Sequence, residues 1–467
     1  MKVLLISPCK DPERKRPKFL MMPQLSLHIL EGLTPPEHEV KIVEEEIEDI
    51  NLDEDCDLVG ISCMTANAPR AYYLAKEFKK RGKKIVLGGV HPTILPDEAL
   101  RHADSVVIGE VEGIWPELLE DVKNGGLKKK YKKPYPSLDE YIKIKHRKDT
   151  KKRLFNVIPV MTTRGCPFNC DFCCVHDIYG PKIRHYPIEN VVRDIMDAEG
   201  KFFLFLDDNI MGDTRYAKKL FSAIKPLKIK WIGQASITFV KDIELISLAA
   251  ASGCTGLFFG LETVSKSQLL KLRKSIKDIK KIEEAIKKIE SYGIFFHPSM
   301  IFGFDDDTKD VFPETLDFLD KNKISSVSLN TLTPYPGTKT YRKLKEERRL
   351  ITDDWKYFDH KSVVFKPKNM SPFELQAGRL WVFKEFTKFS SMLKKLPFHL
   401  DHPFYHLAMG IGHKKVFKNE FKDFPRLASH LFPLSDNLEA HYEYFSILAL
   451  SLADFIPRND YIGGNKV

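Results

Sequence analysis

The chain has 467 residues, 43% of them hydrophobic and 30% charged, with a formal net charge of +10. That length supports about three domains at roughly 100–200 residues each, and a core large enough to need no disulfide scaffold. The composition excludes low-complexity disorder, collagen-like repeats and coiled coil as the main architecture; no run reaches the ~18–20 apolar residues of a membrane span, the nearest being Phe445 to Ile456, which contains Asp454.

The first residues, MKVLLIS, read as a β-strand and lack the apolar core and cleavage site of a signal peptide. A cytoplasmic location is expected, with peripheral membrane contact left open. Residues 1–122 then alternate strand and helix patterns. EVKIVEEEI, DLVGISCM, KKIVLGG and SVVIGE are strand-like, and Ala68 to Arg81 and Gly113 to Val122 have helical periodicity. This alternation predicts a doubly wound, Rossmann-like α/β domain with a five-stranded parallel sheet.

Residues 123–153 hold thirteen Lys/Arg against three Asp/Glu, a local excess of ten that equals the imbalance of the whole chain. We read them as a basic, solvated linker, so nucleic acid is not an expected partner. From 154 to 340 a second series follows. Its strands are predicted at Val157–Thr163, Phe202–Asp207, Lys230–Ala235, Gly256–Glu262, Ile294–Gly303 and Ser325–Thr331. Helices are predicted at Ile188–Glu199, Asp213–Ile224, Ile243–Ala251 and Ile276–Tyr292. Six such units with right-handed crossovers make a partial (βα)6 barrel of the TIM type. Residues 341–467 lose the alternation, are rich in Phe, Leu, Lys and His, and read as a mostly helical C-terminal domain.

Four of the eight cysteines lie within nine residues, in Thr163-Arg164-Gly165-Cys166-Pro167-Phe168-Asn169-Cys170-Asp171-Phe172-Cys173-Cys174. Such clustering in a cytosolic chain argues for metal rather than disulfides. The motif follows the first barrel strand, at the end where barrel enzymes carry their chemistry. Cys166, Cys170 and Cys173, spaced C-x3-C-x2-C, suit three irons of a 4Fe–4S cluster and leave one iron open. The alternative is a zinc knot completed by Cys174 or His176, although no second Cys pair is present to form its other arm.

This spacing, after the first strand of a partial barrel, resembles the radical S-adenosylmethionine superfamily. The resemblance implies that S-adenosylmethionine chelates the open iron and is cleaved to a 5′-deoxyadenosyl radical. It also implies cofactor contacts from Asp207, Asp208 and Asn209 to the methionine ammonium, from Glu262 to the ribose, and from the Ser299–Gly303 stretch to adenine. In that last stretch Ser299 stands where the family has a glycine. On the residues alone, Asp208, Asn209 and Glu262 also read as helix N-caps.

The N-terminal domain resembles that of the cobalamin-binding subgroup, in loops carrying Gly88-Gly89 and Gly109-Glu110, so these four residues are candidate cobalamin contacts. The subgroup's D-x-H-x-x-G motif is absent; the corresponding strand end reads Ser62-Cys63-Met64-Thr65-Ala66-Asn67. The C-terminal region resembles the helical tail of hopanoid methylases and related lipid-modifying and anaerobic cyclase-like members. The implied activity is cobalamin-dependent methyl transfer to an unactivated carbon of an apolar, lipid-like small molecule, with a flavodoxin or ferredoxin as electron donor. The rivals are radical cyclisation or carbon–carbon coupling, RNA methylation or methylthiolation, and a non-enzymatic iron–sulfur carrier or sensor.

Overall fold

A computed structural model describes residues 1–13, 23–144, 157–272, 276–395 and 403–431. The apolar run Phe445 to Ile456 therefore lies outside the described residues.

The first sheet contains β1 (Lys2–Ser7), β2 (Glu39–Glu44), β3 (Leu58–Ser62), β4 (Lys84–Gly88), β5 (Ser105–Ile108) and β6 (Lys130–Lys132). All pair in parallel, in the order β2-β1-β3-β4-β5-β6. Both faces are covered, which is why these strands read as near-continuous apolar runs. On one face Leu4, Ile6, Val59, Ile61, Ile85 and Leu87 pack with Leu74 and Phe78 of the helix Ala68–Lys80. On the other, Val3, Leu5, Leu58, Val86 and Val107 pack with Leu27 and Trp115 from two further helices. β2 lies on one side of β1 and β3 on the other, so the strand order reverses there, and such a switch point is where open parallel sheets take ligands, at the carboxyl ends of the strands.

One feature departs from the five-strand expectation. β6 lies inside the stretch read as linker and adds a sixth strand. Its Lys-Tyr-Lys sequence buries only Tyr131, whose hydroxyl donates to Asp121 at 2.7 Å. A three-residue strand with lysines on both sides of one tyrosine carries no apolar run to detect, and the lysines suit a sheet edge.

The second sheet starts at β7 (Ile158–Val160). A small antiparallel pair follows, β8 (Thr163–Arg164) with β9 (Arg184–His185). Then come β10 (Phe202–Phe205), β11 (Lys230–Ala235), β12 (Cys254–Glu262), β13 (Phe295–Phe302) and β14 (Ser328–Thr331). The order β14-β13-β12-β11-β10-β7 is sequential and all parallel, so the sheet curls as a half-barrel with β7 and β14 as its edges. The helices dock by matched faces. In Ile279–Glu290 the buried residues Ile282, Ala285, Ile286 and Ile289 recur at three- and four-residue steps, one stripe of a helix. Asp213 starts the helix Thr214–Ile224 by accepting from the Arg215 and Tyr216 N–H groups.

The C-terminal region is helical, as expected: Pro372–Phe386, Phe389–Lys395 and Pro403–Leu431. It covers the β14 edge. Arg379, 2% exposed, donates to the Leu329 carbonyl at 3.0 Å and to Glu420 at 2.6 Å. The Thr331 N–H donates to the His360 carbonyl at 2.8 Å. The helix Pro372–Phe386 crosses Val311–Lys321 so closely that a Cβ on Gly378 would sit 2.1 Å from the Phe312 ring. No helix among the described residues is long and apolar enough to cross a membrane.

Candidate functional site

The carboxyl ends of the two sheets face one another. The short helix Val90–Ile94, after β4, packs beside Val175–Tyr179 of the cysteine loop. Ile94 also lies against Gly337, beyond β14, where a Cβ would come within 2.9 Å. Glu110, after β5, pairs with Arg164, after β7. Farther round, Trp355 Nε1 donates to Glu98 at 2.8 Å, and Lys10 pairs with Asp359. The two sites expected from sequence therefore adjoin.

Residues 165–183 form a loop closed at its base by the β8–β9 pair. Gly165 begins it at φ +96, where a Cβ would lie 2.8 Å from the Lys182 carbonyl, so only glycine fits this close crossing. Cys166, Cys170, Cys173 and Cys174 are all partly exposed, and none is joined in a disulfide. Burial pushes the Cys173 thiol up to about 12, helped by the nearby Cys174 and Cys170 thiols and the Asp208 carboxylate. Such a group is poorly ionised by itself, and a bound cation reverses that balance because thiolates are the metal-binding form. Among the described residues no three His, Cys, Asp or Glu side chains converge on a point suited to a single metal ion. His176, a candidate zinc ligand, instead places Nε2 3.0 Å from the Cys166 carbonyl. Three cysteines on one short loop, with no second Cys pair elsewhere to form another arm, fit three irons of a cluster better than a two-armed zinc knot.

The acidic run after β10 separates by role. Asp207 is fully buried and accepts from the N–H and hydroxyl groups of both Thr162 and Thr163, which ties the end of β7 to β10. Asn209 is also buried and accepts from the Ser236 N–H at 3.2 Å. Asp208 is the one that reaches the cysteine loop, accepting from Gly165 N–H at 3.3 Å. Burial pushes its carboxyl up to about 6, against that hydrogen bond.

Glu262 ends β12 at φ +70, rare for a residue with a side chain, and is 7% exposed. The ladder to β13 shifts register there, and the resulting bulge re-aims the strand end. Ser299, mid-strand on β13, accepts from Asn330 at 3.0 Å. Gly303 has φ +105, and its N–H and that of Phe304 both donate to Asp307, which shapes the turn.

In the first domain, Gly88 ends β4 and Gly89 follows it at φ +93, where a Cβ would lie 2.8 Å from the Cys63 carbonyl. Gly109, after β5, would place a Cβ in open space. Met64 beside them is 61% exposed. The open space beside Gly109, at the carboxyl ends of the strands, suits a flat macrocycle, and the Ser62–Asn67 strand end offers it no histidine. His91 is fully buried, with Nε2 3.2 Å from Glu98. Glu110, expected at the cofactor, has both carboxylate oxygens engaged by Arg164 and Arg184.

Sequence reading missed His360. It crosses the end of β14 at φ +65, with its ring Nε2 2.9 Å from the Tyr335 hydroxyl. The residue is solvent-exposed, yet surrounding protein lowers its imidazole pKa, while Asp359 and Glu262 pull the other way. Its only sequence signal was a histidine in an aromatic segment.

Comparison with known proteins agrees with this architecture. Residues 160–319 match the radical SAM superfamily, and residues 26–119 match the B12 binding domain. A bacteriochlorophyllide d C-8(2)-methyltransferase of Chlorobaculum tepidum is 31% identical over 436 residues, which span 89% of this chain and 96% of that protein. A hopanoid C-2 methylase of Rhodopseudomonas palustris is 23% identical, over 71% of this chain and 66% of that one. Among solved structures, the cobalamin-dependent S-adenosylmethionine radical enzyme OxsB, with aqua-cobalamin bound, shares the fold at a TM-score of 0.63, with 16% identity over 96% of this chain and 80% of that one. Two domain matches in this order, and a relative aligned along nearly its whole length, settle the membership: the chain belongs to the cobalamin-binding radical S-adenosylmethionine superfamily, among its methyltransferases, with a 4Fe–4S cluster, S-adenosylmethionine and cobalamin as cofactors.

Proposed function

We propose that this enzyme methylates an unactivated carbon of a large apolar small molecule held between the two sheets. The observation that carries the reading is the meeting of both carboxyl-end crevices, which supports a substrate position between cobalamin on one side and the cluster on the other. When bound, the cluster and S-adenosylmethionine supply the radical, and cobalamin carries the methyl group.

The chain's own part is to hold, orient and exclude water. Cys166, Cys170 and Cys173 are assigned to the cluster, and Asp208 reaches their loop from the end of β10 by accepting from the Gly165 N–H. Asp207 and Asn209 brace the strand ends on which those groups stand. Glu262, Ser299 and Gly303 line the strand ends assigned to S-adenosylmethionine, and Gly88, Gly89 and Gly109 the floor assigned to cobalamin. Ile232, Phe258 and Ile301, on β11, β12 and β13, are only partly buried, and we assign them as apolar wall. The Tyr335–His360 pair adds one polar contact at the rim. Relatives named for a bacteriochlorophyllide and a hopanoid, both bulky and largely apolar, support that substrate class. A flavodoxin or ferredoxin is the proposed electron donor.

The test uses anaerobically reconstituted protein with a reductant and methyl-labelled S-adenosylmethionine. Bacteriochlorophyllide and hopanoid extracts are offered beside a pool of hydrophilic metabolites. Label in a pigment or lipid product heavier by one methylene supports the reading. A product lighter by two hydrogens points instead to ring closure, and label confined to hydrophilic products overturns the apolar assignment.

A further inference from the structure

The neck of the cysteine loop carries two arginines in register. Arg164 on β8 faces Arg184 on β9, and residues 165–183 hang from that pair. Like charges opposite one another push an antiparallel pair apart. The counter-charge comes from the other domain. Glu110, on the loop after β5, accepts from Arg164 Nη1 through one oxygen and from Arg184 Nη2 through the other. Glu112 accepts from Arg164 Nη2 at 2.5 Å. The Arg164, Glu110, Glu112 and Arg184 side chains are 5%, 5%, 10% and 20% exposed. Arg164 also donates to the Tyr186 hydroxyl at 2.6 Å, and Arg184 to the Pro136 carbonyl at 3.0 Å.

Two guanidiniums against two carboxylates sum to zero charge. Buried clusters of this kind add little net stability over apolar packing of the same volume, so stability alone does not explain them. What the forked guanidinium supplies is a fixed direction of approach. We propose that Glu110 is an interdomain positioning residue: seating of the first domain provides the charge that holds the cysteine-loop neck shut. The loop then takes its working shape only when the cobalamin-binding domain is docked. The assignment of the cluster to this loop rests on the reading above, whereas the clasp rests on these contacts alone.

The experiment compares holoprotein, reconstituted with iron, sulfide and aquocobalamin, as wild type, Glu110→Gln and Glu110→Gln/Arg184→Gln. Amide hydrogen exchange is followed across residues 165–183, with the helix Ile279–Glu290 as internal reference. In Glu110→Gln one cation loses its partner, and loop exchange rises at least about tenfold while the reference helix is unchanged. The reduced cluster's EPR signal broadens into more than one species. The double variant removes the stranded cation, and loop exchange returns to within about threefold of wild type. A Glu110→Gln protein with wild-type loop exchange overturns the proposal, as does a double variant that exchanges as fast as the single. If Glu110→Gln does not fold, the double variant decides: a folded protein with a protected loop supports the clasp, and failure of both overturns it. Iron content of the wild type reports separately on the cluster assignment.

Discussion

Acid should loosen the C-terminal helix from the barrel, through two histidines that share one serine. His413, on Pro403–Leu431, lies with Nε2 2.8 Å from Ser326 Oγ, and the same oxygen is 2.7 Å from His297 Nδ1. His297 Nε2 reaches Ser328 Oγ at 2.9 Å. Burial pushes His297 down to about 3, with His413 adding to the fall, and burial pushes His413 down to about 4. Both are therefore neutral when folded and titrate near 6.5 once exposed. A folded value below the unfolded one means stability that is present above about pH 6.5 and lost as pH drops toward 3–4. At pH 5 the deficit is about 1.5 pH units below 6.5, or about 2 kcal/mol per histidine and about 4 kcal/mol for the pair. That is about a thousandfold in the opening equilibrium. Hydrogen exchange of the helix Pro403–Leu431, corrected for intrinsic rate and compared at pH 7 and pH 5, measures it. His413→Gln keeps a partner for Ser326 and cannot ionise, so it should remove about half of the acid effect. Equal corrected protection at both pH values would refute the reasoning. So would a His413→Gln/His297→Gln protein that still loses protection in full.

Cys170→Ala should leave the protein folded but unable to retain a full cluster; iron per chain after anaerobic reconstitution measures it, and wild-type iron content would contradict the ligand assignment. Gly378→Ala forces a methyl to 2.1 Å from the Phe312 ring and should cost about 1–3 kcal/mol, read as an earlier thermal transition of the barrel. Asp207→Ala strips partners from buried Thr162 and Thr163 and should destabilise the β7 end by about 1–3 kcal/mol, seen as faster exchange there with no change in the first domain.

Much of this protein was legible because its strands and helices are strongly periodic. All six barrel strands were expected, and Lys230–Ala235 and Ile243–Ala251 match in both bounds. The cysteine spacing is local, so a single stretch of chain carries it. What stayed hidden depends on partners far away in sequence. In Asp207-Asp208-Asn209 three adjacent polar residues look alike, and only packing turns Asp207 inward and Asp208 toward Gly165. Glu110 sits on a glycine-marked strand end and reads as a ligand contact; its partners Arg164 and Arg184 lie 54 and 74 residues away. His360 takes its place from a left-handed backbone that no pattern of residue types announces.

The cover over β14 bears on how this chain behaves when shortened. Arg379 caps the Leu329 carbonyl and the His360 stretch occupies the Thr331 N–H. A recombinant version stopped after the barrel would bare these main-chain groups along an open strand, and a second such molecule could zip onto it. Anyone trimming the protein for crystals or spectroscopy should therefore meet oligomers and precipitate rather than a smaller working enzyme. The helical tail serves as the barrel's selvage, the finished border that keeps the weave from joining its neighbour.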